Sequence, residues 1–328
     1  MTGRELGLGL QTNKRPGKYA ELARTVEEGG FHVVTPYNDL WFQPALPALL
    51  EIAAATDHVR VGPSCLNPFT VHPVEIAGQM AALDFASGGR AFLGLAAGAW
   101  LDEVGVEQRR PAATVAEAWQ VVCLLLAGDR SGFEGDIFQV AAGRGLAYMP
   151  LRSHMPLLVG TWSPRLTAFA AEHADELKVG GTANPDLVRH VVGRLGPAAA
   201  RVGIVTGAVT VVDRDAVQAR EHARREVAVY LGVVAALDPT MEIDPELIAA
   251  LDERLGTGGI AAAAALVSDD LLDRFALAGT PEQVARHVEE LFEAGARRVD
   301  FGTPHGLDER TGIDLLVREV APRLAKPL

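Results

Sequence analysis

The chain has 328 residues, enough to bury a full core as one large α/β domain or two smaller ones. Its 30 Lys and Arg against 42 Asp and Glu give a net charge of −12, with no block of basic residues, which sets aside a phosphate-tracking nucleic-acid groove. No apolar run approaches the roughly 20 residues that span a bilayer, no signal-peptide pattern opens the chain, and Cys65 and Cys123 are too few for a disulfide framework. The expectation is a cytoplasmic protein with neither nucleic acid nor membrane as partner.

Strand-like and helix-like segments alternate along nearly the whole chain. Residues 6–10 read as a strand, and 16–29 as a helix with Tyr19, Leu22, Ala23 and Val26 on one face and glycine at its stop. A second strand at 31–35 and a helix at 44–56 follow. Residues 59–61 form a third strand ending in Gly62-Pro63-Ser64-Cys65. The next helix carries Val74, Ala77, Met80 and Ala81 and is closed by Gly88-Gly89, before a fourth strand at 91–95. After a helix at about 115–126, residues 133–140, with Gly135-Asp136 at the centre, predict a hairpin.

A short buried strand at 157–159 leads into a helix opened by Ser163-Pro164, and a strand at 177–179 into one opened by Asn184-Pro185. The stripe Leu187, Val188, Val191, Val192 and Leu195 gives that helix one buried face. A β-branched strand at 204–212 precedes a helix at about 216–236. Residues 238–278 break the rhythm and read as a helical insertion, whose Ala-rich run at 260–267 either packs as a helix or sits in a mobile lid. Thr280-Pro281-Glu282-Gln283 is a capping box; the last strand is 299–301 and the last helix 313–324.

Eight strand–helix units are the closed-barrel number, so the fold expected is a (β/α)8 TIM barrel, a single domain over 1–328 with the insertion late in the chain. An open doubly wound sheet is the structural runner-up. Against it, no GxGxxG follows the first strand, where Gly7 and Gly9 lie too early for a phosphate turn.

In such a barrel the ligand sits at the carboxyl ends of the strands. Those ends carry Tyr37, Asn38, Asp39 and Trp41; Ser64, Cys65 and Asn67; Ala97, Gly98 and Trp100; Gly160-Thr161-Trp162-Ser163; Gly180-Gly181-Thr182; and Gly302-Thr303-Pro304-His305. VGTWSPR and VGGTANP are strand–Gly–hydroxyl–helix junctions, where free amide N–H groups and the helix dipole favour an anion. A phosphate held by Thr161, Trp162 and Ser163 together with Gly181 and Thr182 is the expectation; ordinary turn and cap chemistry is the bland alternative. Histidines show no metal-ligand spacing, so no metal site is expected. Cys65 reads as a small buried hydrophobe and not as a nucleophile. Trp41, Trp100 and Trp162 either wall a ligand pocket or are plain core aromatics.

Four ordered motifs carry a resemblance: GPSCLNPFTVHP (62–73), SGGRAFLGLAAG (87–98), GTWSPRLTAFAAEHADELKVGGTANP (160–185) and AGTPEQVARHVEELFEAGARRVDFG (278–302). Together they resemble the bacterial-luciferase-like superfamily, and within it the coenzyme F420-dependent branch that includes methylenetetrahydromethanopterin reductase. The resemblance spans nearly the whole chain and weakens over about 215–278. It implies a (β/α)8 barrel that binds a flavin or deazaflavin, with a non-prolyl cis peptide that by position is Ser64-Cys65, backing the ring. Ser64, Cys65, Ala97 and Gly98 would then lie against the ring and Asn67 would hydrogen-bond its pyrimidine edge. The phosphate contacts implied fall on Gly160–Ser163 and on 180–182.

Two departures stand out. Where many relatives carry Asp-His after the second strand, this chain has Asn38-Asp39, so Asp39 stands in the histidine's place. It is either a proton donor, if burial raises its pKa, or a group that fixes a substrate or ring hydroxyl, or an ordinary loop or cap aspartate. Ala99 stands where sugar-phosphate dehydrogenases of the family carry a catalytic glutamate, which argues against glucose-6-phosphate oxidation. His305 is a second catalytic candidate, expected where it would donate to an anionic substrate or a ring carbonyl; a loop histidine without a role is its alternative. The function expected is F420-dependent hydride transfer to or from a small organic substrate, by a protein that relatives suggest is a homodimer. The alternatives are an FMN-dependent monooxygenase with the insertion as lid, and a non-catalytic flavin-binding barrel.

Overall fold

Short apolar runs closed by glycine or proline form the strands, and the longer amphipathic runs between them form the helices. In a computed structural model that describes residues 3–324, the order is β1 (Glu5–Leu10), α1 (Lys18–Glu28), β2 (Val33–Pro36), α2 (Ala45–Ala55), β3 (Arg60–Val61), α3 (Pro73–Ser87), β4 (Leu93–Ala96) and α4 (Pro111–Leu126). The hairpin β5 (Phe133–Glu134) and β6 (Gln139–Val140) comes next, followed by β7 (Leu157–Gly160), α5 (Pro164–His173), β8 (Glu176–Gly180), α6 (Pro185–Leu195), β9 (Gly203–Val212) and α7 (Ala216–Val234). The chain ends in α8 (Pro245–Thr257), α9 (Gly259–Ala264), α10 (Asp269–Phe275), β10 (Ala276–Gly279), α11 (Pro281–Glu293), β11 (Arg298–His305), α12 (Glu309–Leu315) and α13 (Ala321–Leu324).

The chain divides into two compact units. One comprises the chain through Gly9, Glu28–Phe31 and everything from Lys178 onward; the other comprises Leu10–Glu27 and His32–Leu177. In the second unit β2 pairs in parallel with β3, and β4 with β7 in the register Leu93↔Leu157 to Ala96↔Gly160. Parallel bridges Val61↔Ala91 and Leu66↔Leu95 join the two pairs. Leu49, Ile52, Ile76, Met80, Val121 and Leu125 bury the inner faces of α2, α3 and α4.

Arg90, within the second of the four motifs, has a structural task in this unit. Its guanidinium donates to the carbonyls of Ala53, Thr56 and Val59, satisfying the turn between α2 and β3. Glu117 does the same for the hairpin, accepting from the backbone N–H groups of Asp136, Ile137 and Phe138.

In the first unit β11 lies between β1 and β9, β8 flanks β9, and β10 pairs with Val209–Val212 of β9. The 238–278 stretch, expected to be helical throughout, contains α8, α9 and α10 but ends in this extra strand. The Ala-rich run folds as α9 and packs: Ala263 and Ala264 join Ala219, Ala223, Val227 and Leu231 of α7 in one buried cluster.

A charged group sits inside this unit. Asp300 and Arg298 are fully buried, with Arg298 Nε 2.8 Å from Asp300 Oδ1 and Lys178 Nζ 2.7 Å from Oδ2. Burial pushes the Asp300 carboxyl up, and the two cations outweigh it and hold the pKa below the usual aspartate value. A side chain on Gly7 would collide with Asp300 Oδ1, which explains a glycine in the middle of β1.

Candidate active site

In the second unit the segment after β3 is held on both sides. Ser64 N donates to Pro36 O, Tyr37 bridges Ser64, Leu66 N donates to Gly94 O and Ala96 N to Leu66 O. The Ser64–Cys65 peptide is cis. Backbones approach so closely here that a side chain on Gly94 would run into the Pro63 carbonyl. On Gly160 a side-chain carbon would stand 2.9 Å from Cys65 Sγ and 3.4 Å from Ala96 Cβ. Gly98 has φ +87 and abuts Asn67, where added carbon would stand 3.1 Å from the amide carbon. The ends of β3, β4 and β7 thus present Ser64, Cys65, Ala97, Gly98 and Gly160, half-buried residues none larger than cysteine.

Polar groups border this bare floor. Asn67 is buried, and its Oδ1 accepts from Phe69 N, Thr70 N and Thr70 Oγ1. Its amide nitrogen donates to nothing among the described residues. At the end of β7, Thr161 Oγ1 accepts from Ser163 N at 2.9 Å. Ser163 is the N-cap of α5, yet its hydroxyl makes no cap bond, so the hydroxyl and the start of the helix stay open to an anion. Trp162 is half-buried between them.

Asp39 lies two residues beyond Tyr37, half-buried, with Gln11 Nε2 donating to its Oδ2 at 2.9 Å. Burial raises its pKa above the ordinary aspartate value, and the Gln11 bond offsets only part of that. Asn38 is engaged elsewhere: its Oδ1 accepts from Ala45 N at the start of α2. Trp41 and Trp100 are exposed, at 69% and 43%, so in this unit they are surface rings and not core aromatics. Trp41 Nε1 donates to Glu103. Gln108 Nε2 donates to the carbonyls of Ala97 and Gly98 and so fixes the β4 end.

The first unit corrects two expectations. The N–H groups of Gly181 and Thr182 both donate to Gly207 O, and that of Ala183 to Arg274 O, so the 180–182 junction does not offer the free donors expected of it. The Thr182 hydroxyl is fully buried, accepting from Asn184 N and donating to Arg274 O. Gly180 is half-buried. His305 was expected to be accessible to a ligand. It is instead fully buried, at φ 75, with Nε2 2.9 Å from Gly9 O and Nδ1 3.8 Å from Glu309. It ties β11 to β1.

Gln11 is the functional candidate that reading the sequence missed, because the contact joins residues 28 apart and no local spacing announces it.

A profile of the family described as luciferase-like monooxygenase matches residues 2–298. The chain belongs to that family. Among its curated relatives, the 5,10-methylenetetrahydromethanopterin reductase of Methanopyrus kandleri is 28% identical, over 96% of this chain and 97% of its own. The F420-dependent glucose-6-phosphate dehydrogenase of Nocardia farcinica is 25% identical, with 98% of each chain covered. The solved structure of the coenzyme F420-dependent tetrahydromethanopterin reductase from M. kandleri matches 98% of this chain with a TM-score of 0.89 at 26% identity. That likeness makes the fold the luciferase-like (β/α)8 barrel, as the strand count predicts. The cofactor alternative stays within the same family, which takes its description from monooxygenases.

Proposed function

We propose that the chain is a coenzyme F420-dependent oxidoreductase acting on a small organic substrate. The end-to-end likeness to F420-dependent reductases, over nearly all of both chains, carries this reading. The residues present fit such a group. The floor of Ser64, Cys65, Ala97, Gly98 and Gly160 gives a flat ring somewhere to lie. The undonated amide nitrogen of Asn67 suits the acceptor-rich pyrimidine edge, and the uncapped Ser163 hydroxyl with Thr161 at the start of α5 suits a phosphate.

When bound, the deazaflavin supplies hydride chemistry. The chain's own residues do the rest: the bare strand ends orient the ring, Asn67 fixes its edge, and Asp39 holds a proton on a carboxyl whose raised pKa keeps it protonated further toward neutrality. Asn38, by accepting from Ala45 N at the start of α2, holds the Asp39 loop to that helix. Thr182 and His305 support the frame. With Ala99 at the position of the sugar-phosphate dehydrogenases' glutamate, glucose-6-phosphate is not the substrate we assign. Titration of the purified chain with coenzyme F420 and with FMN tests the reading. Saturable binding of F420 and none of FMN is expected; the reverse preference overturns it in favour of an FMN-dependent monooxygenase. Tight F420 binding without turnover across a broad substrate panel would favour a non-catalytic barrel.

No helix among the described residues is long and apolar enough to cross a membrane. We assign the chain to the cytoplasm, in keeping with two cysteines, Cys65 and Cys123, that are not joined in a disulfide. We also assign it a homodimeric state, which the exposed apolar group Phe85, Tyr148, Met149 and Leu151 supports. Sedimentation equilibrium should return twice the monomer mass.

A further inference from the structure

Gln11 follows β1 on the loop that opens the second unit, and its side chain makes two hydrogen bonds of 2.9 Å. Oε1 accepts from the backbone N–H of Thr12, and Nε2 donates to Asp39 Oδ2. The first bond decides the sense of the second. A backbone N–H only donates, so it claims the carbonyl end of the amide and turns the NH2 end toward the carboxyl. Asp39 Oδ2 is therefore an acceptor, and a proton on Asp39 resides on Oδ1. Among the described residues Oδ1 takes part in no hydrogen bond. Asp39 itself lies two residues past Tyr37, which bridges Ser64 at the edge of the bare floor.

We propose that Gln11 is a positioning residue that occupies Oδ2 of Asp39, so that Oδ1 alone carries a proton and presents it to a bound ligand. On transfer the Oδ1–H bond breaks, the proton passes to the ligand's acceptor atom, and the carboxylate left behind keeps its Gln11 donor. This rests on the reading of Asp39 as a proton donor. Burial raises the pKa of this carboxyl and the Gln11 bond lowers it.

The test is a carboxyl-13C NMR titration of the ligand-free protein labelled at aspartate, with the Asp39 resonance assigned by its loss in Asp39→Asn. Gln11→Met keeps the volume and removes the donor. It should move the Asp39 midpoint upward by about one pH unit, because a hydrogen bond to the charged form is lost. Gln11→Glu should move it further, as two adjacent carboxyls come to share one proton. A midpoint unmoved in both variants overturns the proposal. Coenzyme F420 titration of the same wild-type sample separates the two readings. No F420 binding with the expected midpoint shift sinks the functional reading and leaves the pair standing. F420 binding with no shift sinks the pair alone.

Discussion

Cys65 Sγ lies 2.9 Å from the point where a side-chain carbon on Gly160 would stand. The end of β7 is bare because the thiol from the neighbouring segment already fills the space in front of it. Gly160→Ala should push the thiol out onto the floor, costing about 1–3 kcal/mol of stability as an overpacked contact. Coenzyme F420 should bind at least about tenfold more weakly, about 1.4 kcal/mol. Adding Cys65→Ala returns the volume, so the double variant should recover both. Urea unfolding and cofactor titration read the two effects separately.

Asn67 divides its amide between two tasks. Oδ1 holds the turn through Phe69 and Thr70, while the nitrogen stays undonated. Asn67→Asp keeps the acceptor and loses the donor. Stability should change by less than about 1 kcal/mol, and F420 affinity should fall about tenfold or more as a carboxylate meets an acceptor edge.

Gly7→Ala places a methyl group against Asp300 Oδ1 inside the first unit. The carboxylate would have to leave one of its cations, and breaking a buried pair costs about 3–5 kcal/mol. The variant should unfold at markedly lower urea concentration, whereas alanine at the open Gly193 should not.

The Asp300 carboxyl is held below its ordinary value in the fold by Arg298 and Lys178, against the opposing effect of burial. Its contribution to stability is therefore fully present above the unfolded value of about 3.9 and is lost as pH falls through the lower folded value. Lys178→Met removes one of the two cations and should raise the pH at which acid unfolds the protein. Circular dichroism against pH reads the midpoint.

Asp39 runs the other way. Its pKa is raised in the fold, chiefly by burial, so its contribution is present below the unfolded value and lost as pH rises through the folded one. Asp39→Asn should melt at a higher temperature than wild type at pH 7 and at the same temperature near pH 3. The variant should bind F420 and lose turnover, a gain in stability bought with function.

Alternation of strand and helix was legible because the chain punctuates it chemically. Asn184 caps α6 through Asp186 N, and Thr280 with Gln283 closes a full capping box at α11. β10 escaped because Ala276–Gly279 has no β-branched residue; its strand character comes from pairing with β9, which no local window contains. The bare floor was readable as a run of small residues at strand ends. His305 was misplaced because β11 runs on to residue 305, past the 299–301 expected, carrying the ring back toward Gly9. The donors at 181 and 182 were overcounted for a similar reason: Gly207, which consumes them, lies far along the chain.

Helix α9 of the late insertion meets α7 on methyl groups, with Ala219 and Ala223 of α7 and Ala263 and Ala264 of α9 in one cluster. Axes brought that near leave no slack for a bulkier neighbour. Residues that face outward, such as Val229, Val233 and Ile260, are under no such constraint. Substitutions at those outward positions therefore leave the α7–α9 contact as it is.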